Sequence, residues 1–480
     1  MPRDKETSVD SEHEFFLDSP PGQLLCAYYP APRECRGAML FFDPVFEERK
    51  TCQRPLVELA RELAANGIAA LRFDYIGCGD SSGEFAAYGI ADWLDSARHA
   101  HDKLRELTSG AAIGALGLRF GASLAFLYAS RHKLRGPLVL CNPVANGAEY
   151  LRGELRKKLM KEMMTFGGSR STREALIEKL EGGASIDFDG HELSSRLYRD
   201  MCSVDLVGAE NIPKTERTLI AAVAPTGADA AKMGKIEKRL SAANLDISTL
   251  EIDIEPFWNR IGLVQTAPFR SEVCKWLTRQ FQETGSVLAA TPQPEEHDAA
   301  AVSERTVAFP TTSGETLRAI LHRPDHRAAP KNLIVFCHGW SGSRIGPHRM
   351  LVKTARRLAD QGNACLRLDF TGRGNSDGSA ADGTIQQMIS DAGSAIEYLR
   401  DRFPGIPVLL LGICSGGKVA IGAATKTPGI DRLVLWSGEA LGRLREASTN
   451  RRKSLFALKT YLQKLFRIDT WRKILTGNVN

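Results

Sequence analysis

No apolar run in the 480 residues approaches the ~18 needed to cross a bilayer. Met1 to Glu14 is polar and acidic, so neither a transmembrane segment nor a secretory signal is expected. The ten cysteines run from Cys26 to Cys414, and no two lie within four residues of each other. That spacing excludes a structural zinc cluster and a CxxC redox pair, and it suits a reduced, cytoplasmic chain; no metal and no cofactor is expected. Excess charge is scarce too, with Lys+Arg 63 against Asp+Glu 57, a balance of +6. It is unevenly placed. From Leu441 to Asn480 ten basic residues face only Glu446 and Asp469, so that stretch carries +8 and the rest of the chain −2. Leu455, Leu458, Leu462 and Leu465 repeat there at helical spacing. The stretch reads as a basic lid helix, and no nucleic-acid partner is expected. What is present, 43% hydrophobic and 25% charged residues, is enough for a large soluble core.

The chain says the same thing twice. Phe42-Asp43-Pro44 matches Cys337-His338-Gly339, and Leu71 to Tyr75 matches Leu366 to Phe370. Gly77-Cys78-Gly79-Asp80-Ser81-Ser82-Gly83 matches Gly372-Arg373-Gly374-Asn375-Ser376-Asp377-Gly378, and Leu116 to Gly121 matches Leu411 to Gly416. All four matches share an offset of 295, which marks a tandem duplication. The repeats are expected over 12–285 and 303–480, with a Pro-containing polar linker at 286–302. In each, apolar strand-like runs alternate with amphipathic helical stretches. An α/β fold is therefore expected, with a mostly parallel sheet covered on both faces.

Gly412-Ile413-Cys414-Ser415-Gly416 follows the apolar run Val408 to Leu411 and precedes a small-residue helix. This is the pattern of a nucleophile elbow with Cys414 at its centre, because a sharp strand-to-helix turn leaves no room for side chains beside the nucleophile. Backbone amides of Trp340 and Ser415 would form the oxyanion hole, and a helix N-terminus favours a thiolate. Ser415 is the fallback nucleophile. Gly412 to Lys418 also mimics a phosphate-binding P-loop, but Val419 stands where a Ser or Thr would bind magnesium. Gly372-Arg373-Gly374 reads as a structural loop near the site entrance.

On these residues the second half resembles the serine-aminopeptidase (S33-type) and dienelactone-hydrolase branches of the α/β-hydrolase superfamily. The first half resembles the hydrolase-like proteins associated with bacterial exosortase systems, through Phe15-Phe16-Leu17, Gly77 to Gly83 and Gly117 to Gly121. The resemblance implies tandem hydrolase domains and acyl transfer through Cys414 on an ester, amide or thioester, the substrate being a small molecule or a peptide.

Two absences cut against that. None of the ten histidines follows Cys414, although this fold places its acid and histidine after the elbow. The 295 register puts both strands that would carry them beyond residue 480, so the second half is expected to stop within its lid. The base would then come from His338, His348, another subunit of a homo-oligomer, or a missing C-terminal segment. In the first half, Arg119 occupies the elbow centre and Phe257-Trp258 stands where histidine would be. Arginine stays protonated and cannot attack, so this half reads as a pseudo-hydrolase, with Arg119 as a candidate anion site. His132 and His191 read as surface or lid histidines. The alternative is a non-catalytic tandem protein that binds or scaffolds.

Overall fold

The computed structural model describes residues 12–437 apart from 33, 169–170, 189, 216, 225–229, 243–244, 261, 263, 282–286, 289–302 and 325–328. The basic stretch 441–480, the expected acid position Gly227-Ala228-Asp229 and most of the expected linker lie outside the described residues.

The apolar runs become strands whose residues alternate between two covered faces. The first half has β1 His13–Ser19, β2 Gly22–Tyr29, β3 Gly37–Phe42, β4 Ile68–Phe73, β5 Ile113–Leu118, β6 Leu138–Cys141, β7 Thr218–Val223 and β8 Ile247–Ile252. They form one sheet in the order β1-β2-β4-β3-β5-β6-β7-β8. All neighbours from β4 onward are parallel. In β3, Ala38, Leu40 and Phe42 enter one core while Met39 and Phe41 enter the other, the period of two that a pleated strand imposes. Helix α1 Phe46–Ala65 and the helix Ala267–Gln280 cover one face, and α2 Ile90–Leu107 and α3 Phe120–His132 cover the other.

The second half repeats the first six positions. Strands β9 Ser303–Pro310, β10 Thr316–Arg323, β11 Leu333–Cys337, β12 Ala364–Leu368, β13 Val408–Ile413 and β14 Arg432–Trp436 run in the order β9-β10-β12-β11-β13-β14. Helices α4 Met350–Asp360, α5 Ile385–Arg402 and α6 Gly416–Lys426 flank them. Strand β14 is the sheet edge among the described residues, and Leu433 to Trp436 are 39% to 52% exposed. Its counterpart β6 is fully buried because β7 lies beside it. No helix among the described residues is long and apolar enough to cross a membrane.

The halves lock together through arginines 295 positions apart. Arg349 donates to the carbonyls of Gly77 (2.8 Å), Gly79 (2.8 Å) and Gly83 (2.6 Å), while Arg54 donates to those of Ser376 (2.6 Å) and Gly378. Arg356 reaches the Asp80 carbonyl at 2.9 Å, and Arg61 the Asn375 carbonyl at 2.8 Å. The contacts to Gly83 and Gly378, and those of Arg356 and Arg61, recur with the halves exchanged, the self-complementarity of a twofold interface. The loop Gly372 to Gly378, expected merely near the site entrance, is thus part of this joint.

At the centre Asp80, wholly buried, accepts from Arg344 Nε (2.9 Å) and Arg367 Nη1 (2.7 Å). Arg344 also donates twice to Glu14, at 2.8 and 2.7 Å. Burial alone would raise both carboxyls. Arg367 and Arg344 beside Asp80, and Arg344 and Arg318 beside Glu14, hold both below the ordinary carboxylate range.

Removing one partner of a buried ion pair costs about 3–5 kcal/mol, so Asp80→Asn is expected to lower the unfolding free energy by about that much in urea titrations. A loss below about 1 kcal/mol, the range of an exposed pair, would contradict this. Groups with depressed folded pKa values contribute stability above their unfolded values and lose it as pH falls. Wild-type stability is therefore expected to decline below about pH 4, and a flat profile in acid titrations would count against the network.

Candidate active site between the two halves

Strand β13 ends at Ile413, and α6 starts three residues later. Cys414 makes the turn with φ 54°, a left-handed conformation costly for a non-glycine residue. The turn needs its flanking glycines. A Cβ on Gly412 would meet the Gly416 carbonyl oxygen at 2.5 Å, and one on Gly416 would meet the Cys337 oxygen at 2.0 Å. The Cys414 amide donates to Trp436 O at 3.0 Å, tying the turn to β14. None of the ten cysteines, all among the described residues, is in a disulfide, and Cys414 alone is classed as exposed.

The neighbouring residues differ from expectation in two respects. The Trp340 amide, expected as an oxyanion donor, instead gives its hydrogen to Ser415 Oγ at 2.7 Å. Ser415, the fallback nucleophile, is 8% exposed and has ordinary helical φ −64°. The left-handed residue at the centre of the turn is Cys414, not Ser415. His338 is 1% exposed, its Nδ1 lies 2.8 Å from Gly339 O, and its ring packs on Phe370 at 4.7 Å. Burial pushes its pKa down. Its buried Nε2 has no hydrogen-bond partner among the described residues.

The equivalent corner of the first half is built alike and filled. Arg119 has φ 58° between β5 and α3, and its amide donates to Cys141 O at 2.9 Å. Its guanidinium meets Glu48 Oε1 at 3.1 Å and lies over the Trp258 ring, 4.9 Å from the centroid. Tyr150 donates to the other Glu48 oxygen at 3.1 Å. Burial raises the Glu48 carboxyl and Arg119 opposes that rise. The anion site expected at Arg119 is therefore already satisfied from within: Glu48 supplies the negative charge that a ligand would bring. Phe257 and Trp258, at the expected histidine position, are buried.

Cys414 opens into a cleft of about 470 Å³ between the halves. The second half contributes Trp340, His348 and Cys414; the first contributes Phe46, Glu47 and His191. His191 follows Gly190 in a short hairpin, Ile186–Phe188 with His191–Leu193, inserted between β6 and β7. It packs against Phe85 (5.1 Å) and edge-on against His348 (5.9 Å). Burial and the neighbouring His348 push His191 down to about 4. His191, read as a surface or lid histidine, lies in that insertion and shares the cleft with Cys414. Spacing could not reveal this, because its neighbour lies in the other half. His132 stacks on Tyr128 (4.4 Å) and lies elsewhere.

The family model described as serine aminopeptidase, S33, matches residues 51–224 and 328–466. Over 127 residues the chain is 29% identical to the mitochondrial palmitoyl-protein thioesterase ABHD10 of Homo sapiens, and equally to that of Pongo abelii. The match covers 25% of this chain and spans 40% of those relatives' length. Among solved structures, ferulic-acid-bound Est1E from Butyrivibrio proteoclasticus is similar at 18% identity and TM-score 0.41, covering 56% of this chain and all of that one. Proline iminopeptidase from Mycobacterium smegmatis is similar at 13% identity and TM-score 0.36, covering 56% of this chain and 99% of that one. With its two matched segments taking up well over half of its length, the chain belongs to the serine aminopeptidase S33 family of α/β hydrolases.

Proposed function

We propose that this protein is an acyl-transfer hydrolase that uses Cys414 as its nucleophile, and that thioesters and activated esters are its substrate class. The observation that carries the reading is the left-handed Cys414, held at the strand-to-helix turn and exposed to the cleft. The sulfur would attack the acyl carbonyl carbon to form an acyl-thioester, expelling a thiolate or alkoxide. Water would then cleave the acyl–sulfur bond, releasing the carboxylic acid. The Ser415 amide at the start of α6 would face the oxyanion, joined by the Trp340 amide once Ser415 Oγ turns away.

The substrate class follows from the nucleophile itself. Cysteine is partly ionised at neutral pH and strongly nucleophilic, so it asks less of a base than serine does. A departing thiolate needs no proton, whereas an amine leaving group must be protonated. An elbow cysteine therefore suits thioesters better than amides. The relatives named palmitoyl-protein thioesterase support the same class.

In this reading 12–285 and 303–480 are duplicated hydrolase domains joined at 286–302. The first is a pseudo-hydrolase whose filled corner walls the cleft. Ten thiols outside disulfides fit a reducing compartment such as the cytoplasm. One observation favours a purely binding role, the Trp340 amide spent on Ser415 Oγ.

With a chromogenic thioester, the wild type is expected to release about one equivalent of thiol in a burst before slower turnover, the kinetic mark of an accumulating acyl-enzyme. Cys414→Ala should lose both phases; unchanged release would remove Cys414 from the chemistry, and no release by the wild type would decide for the binding role. Arg119→Met should keep kcat within about twofold and lower stability by about 1–3 kcal/mol, since it leaves Glu48 buried and unpaired. A hundredfold fall in kcat in that folded variant would instead place Arg119 in the chemistry.

A further inference from the structure

We propose that Glu47, His191 and His348 bind one divalent transition-metal ion, Zn²⁺ best matching the donor set, in a site that bridges the two halves across the cleft. A Glu47 carboxylate oxygen and one ring nitrogen from each histidine lie within 4.8 Å of one another. Two imidazoles and a carboxylate, leaving a position open, form a common zinc donor set. Ligands about 2.0–2.1 Å from a tetrahedral ion sit roughly 3.4 Å apart, so the trio must close by about an ångström. Glu47, in the first turn of α1, and His348 are both exposed, so their side chains have room to turn towards an ion.

The backbone brings the histidines together at evident cost. His348 and Arg349 are consecutive non-glycine residues at φ 54° and 58°. A Cβ on Gly190, itself at φ +83°, would meet His348 Nδ1 at 2.0 Å, so only glycine lets the His348 ring lie there. The aromatic packing of His191 on Phe46 and Phe85 fixes its direction, and a neutral imidazole offers the lone pair that a metal needs. Nearby cations are largely matched already. Arg49 pairs with Asp74, and Arg349 is taken up by the loop carbonyls. Lys50 and Lys161 also line the cleft, so binding should be weaker than at a structural zinc site. Spacing along the chain carries no sign of a metal site, because positions 47, 191 and 348 converge only when the halves dock.

The inference does not depend on acyl chemistry at Cys414, and its test reads the ion instead of turnover. Full-length protein treated with chelator would be titrated with Co²⁺ alone, followed by Zn²⁺ competition. A visible absorption band saturating at about one Co²⁺ per chain and displaced by Zn²⁺ is expected. Glu47→Gln and His348→Ala should each weaken binding at least about tenfold, while Cys414→Ala should leave it unchanged. Zn²⁺ should raise the melting temperature of the wild type but not of Glu47→Gln, an exposed substitution that leaves the core intact. No band at millimolar Co²⁺, binding unaffected in Glu47→Gln and His348→Ala, or binding lost in Cys414→Ala would overturn the site.

Discussion

A carboxylate with no access to water, Asp80 between Arg344 and Arg367, is the constraint on which the rest of the molecule turns. An isolated charge at that depth would be untenable, so the first half cannot leave the second without exposing or orphaning it. Around this centre the reciprocal arginines hold each half's glycine-rich loop by its carbonyl oxygens. The contacts are made to backbone, which no side-chain substitution in the loop removes. The docking fixes where the cleft lies, and hence which first-half residues stand opposite Cys414.

The two halves then divide the work. In the first, the corner equivalent to that of Cys414 is closed by the Arg119–Glu48 pair, capped by Trp258 and Tyr150. Its complete eight-stranded sheet provides a rigid wall. In the second, the corner remains open and presents a thiol. Ser415 Oγ holds the Trp340 amide, so the proposed oxyanion hole needs that hydroxyl to rotate as substrate enters.

Local features were legible in the sequence because their causes are local. Apolar runs bounded by glycines became the strands, and the constant 295 offset foretold two sheets sharing six positions of strand order. Gly412 and Gly416 announced a turn that excludes a Cβ, and the structure places Cys414 there in a left-handed conformation. Other features depend on surfaces meeting. Nothing in the spacing shows that Arg349 grips the loop at Gly77 to Gly83, or that His191 faces His348, since these pairs are more than 150 residues apart. The Trp340 amide misled for a subtler reason: the expected donor is present, but a neighbouring hydroxyl of suitable length reaches it first. Arg119 looked like a vacant cation because its partner, Glu48, carries no motif of its own.

Covalent trapping tests the central claim most directly. The full-length protein would be mixed with an acyl thioester, quenched in acid within seconds, digested and analysed by mass spectrometry. One acyl group is expected on the peptide containing Cys414, labile to hydroxylamine and absent from Cys414→Ala. An acyl group on Ser415, or none on either residue while thiol is released, would contradict the assignment of the nucleophile.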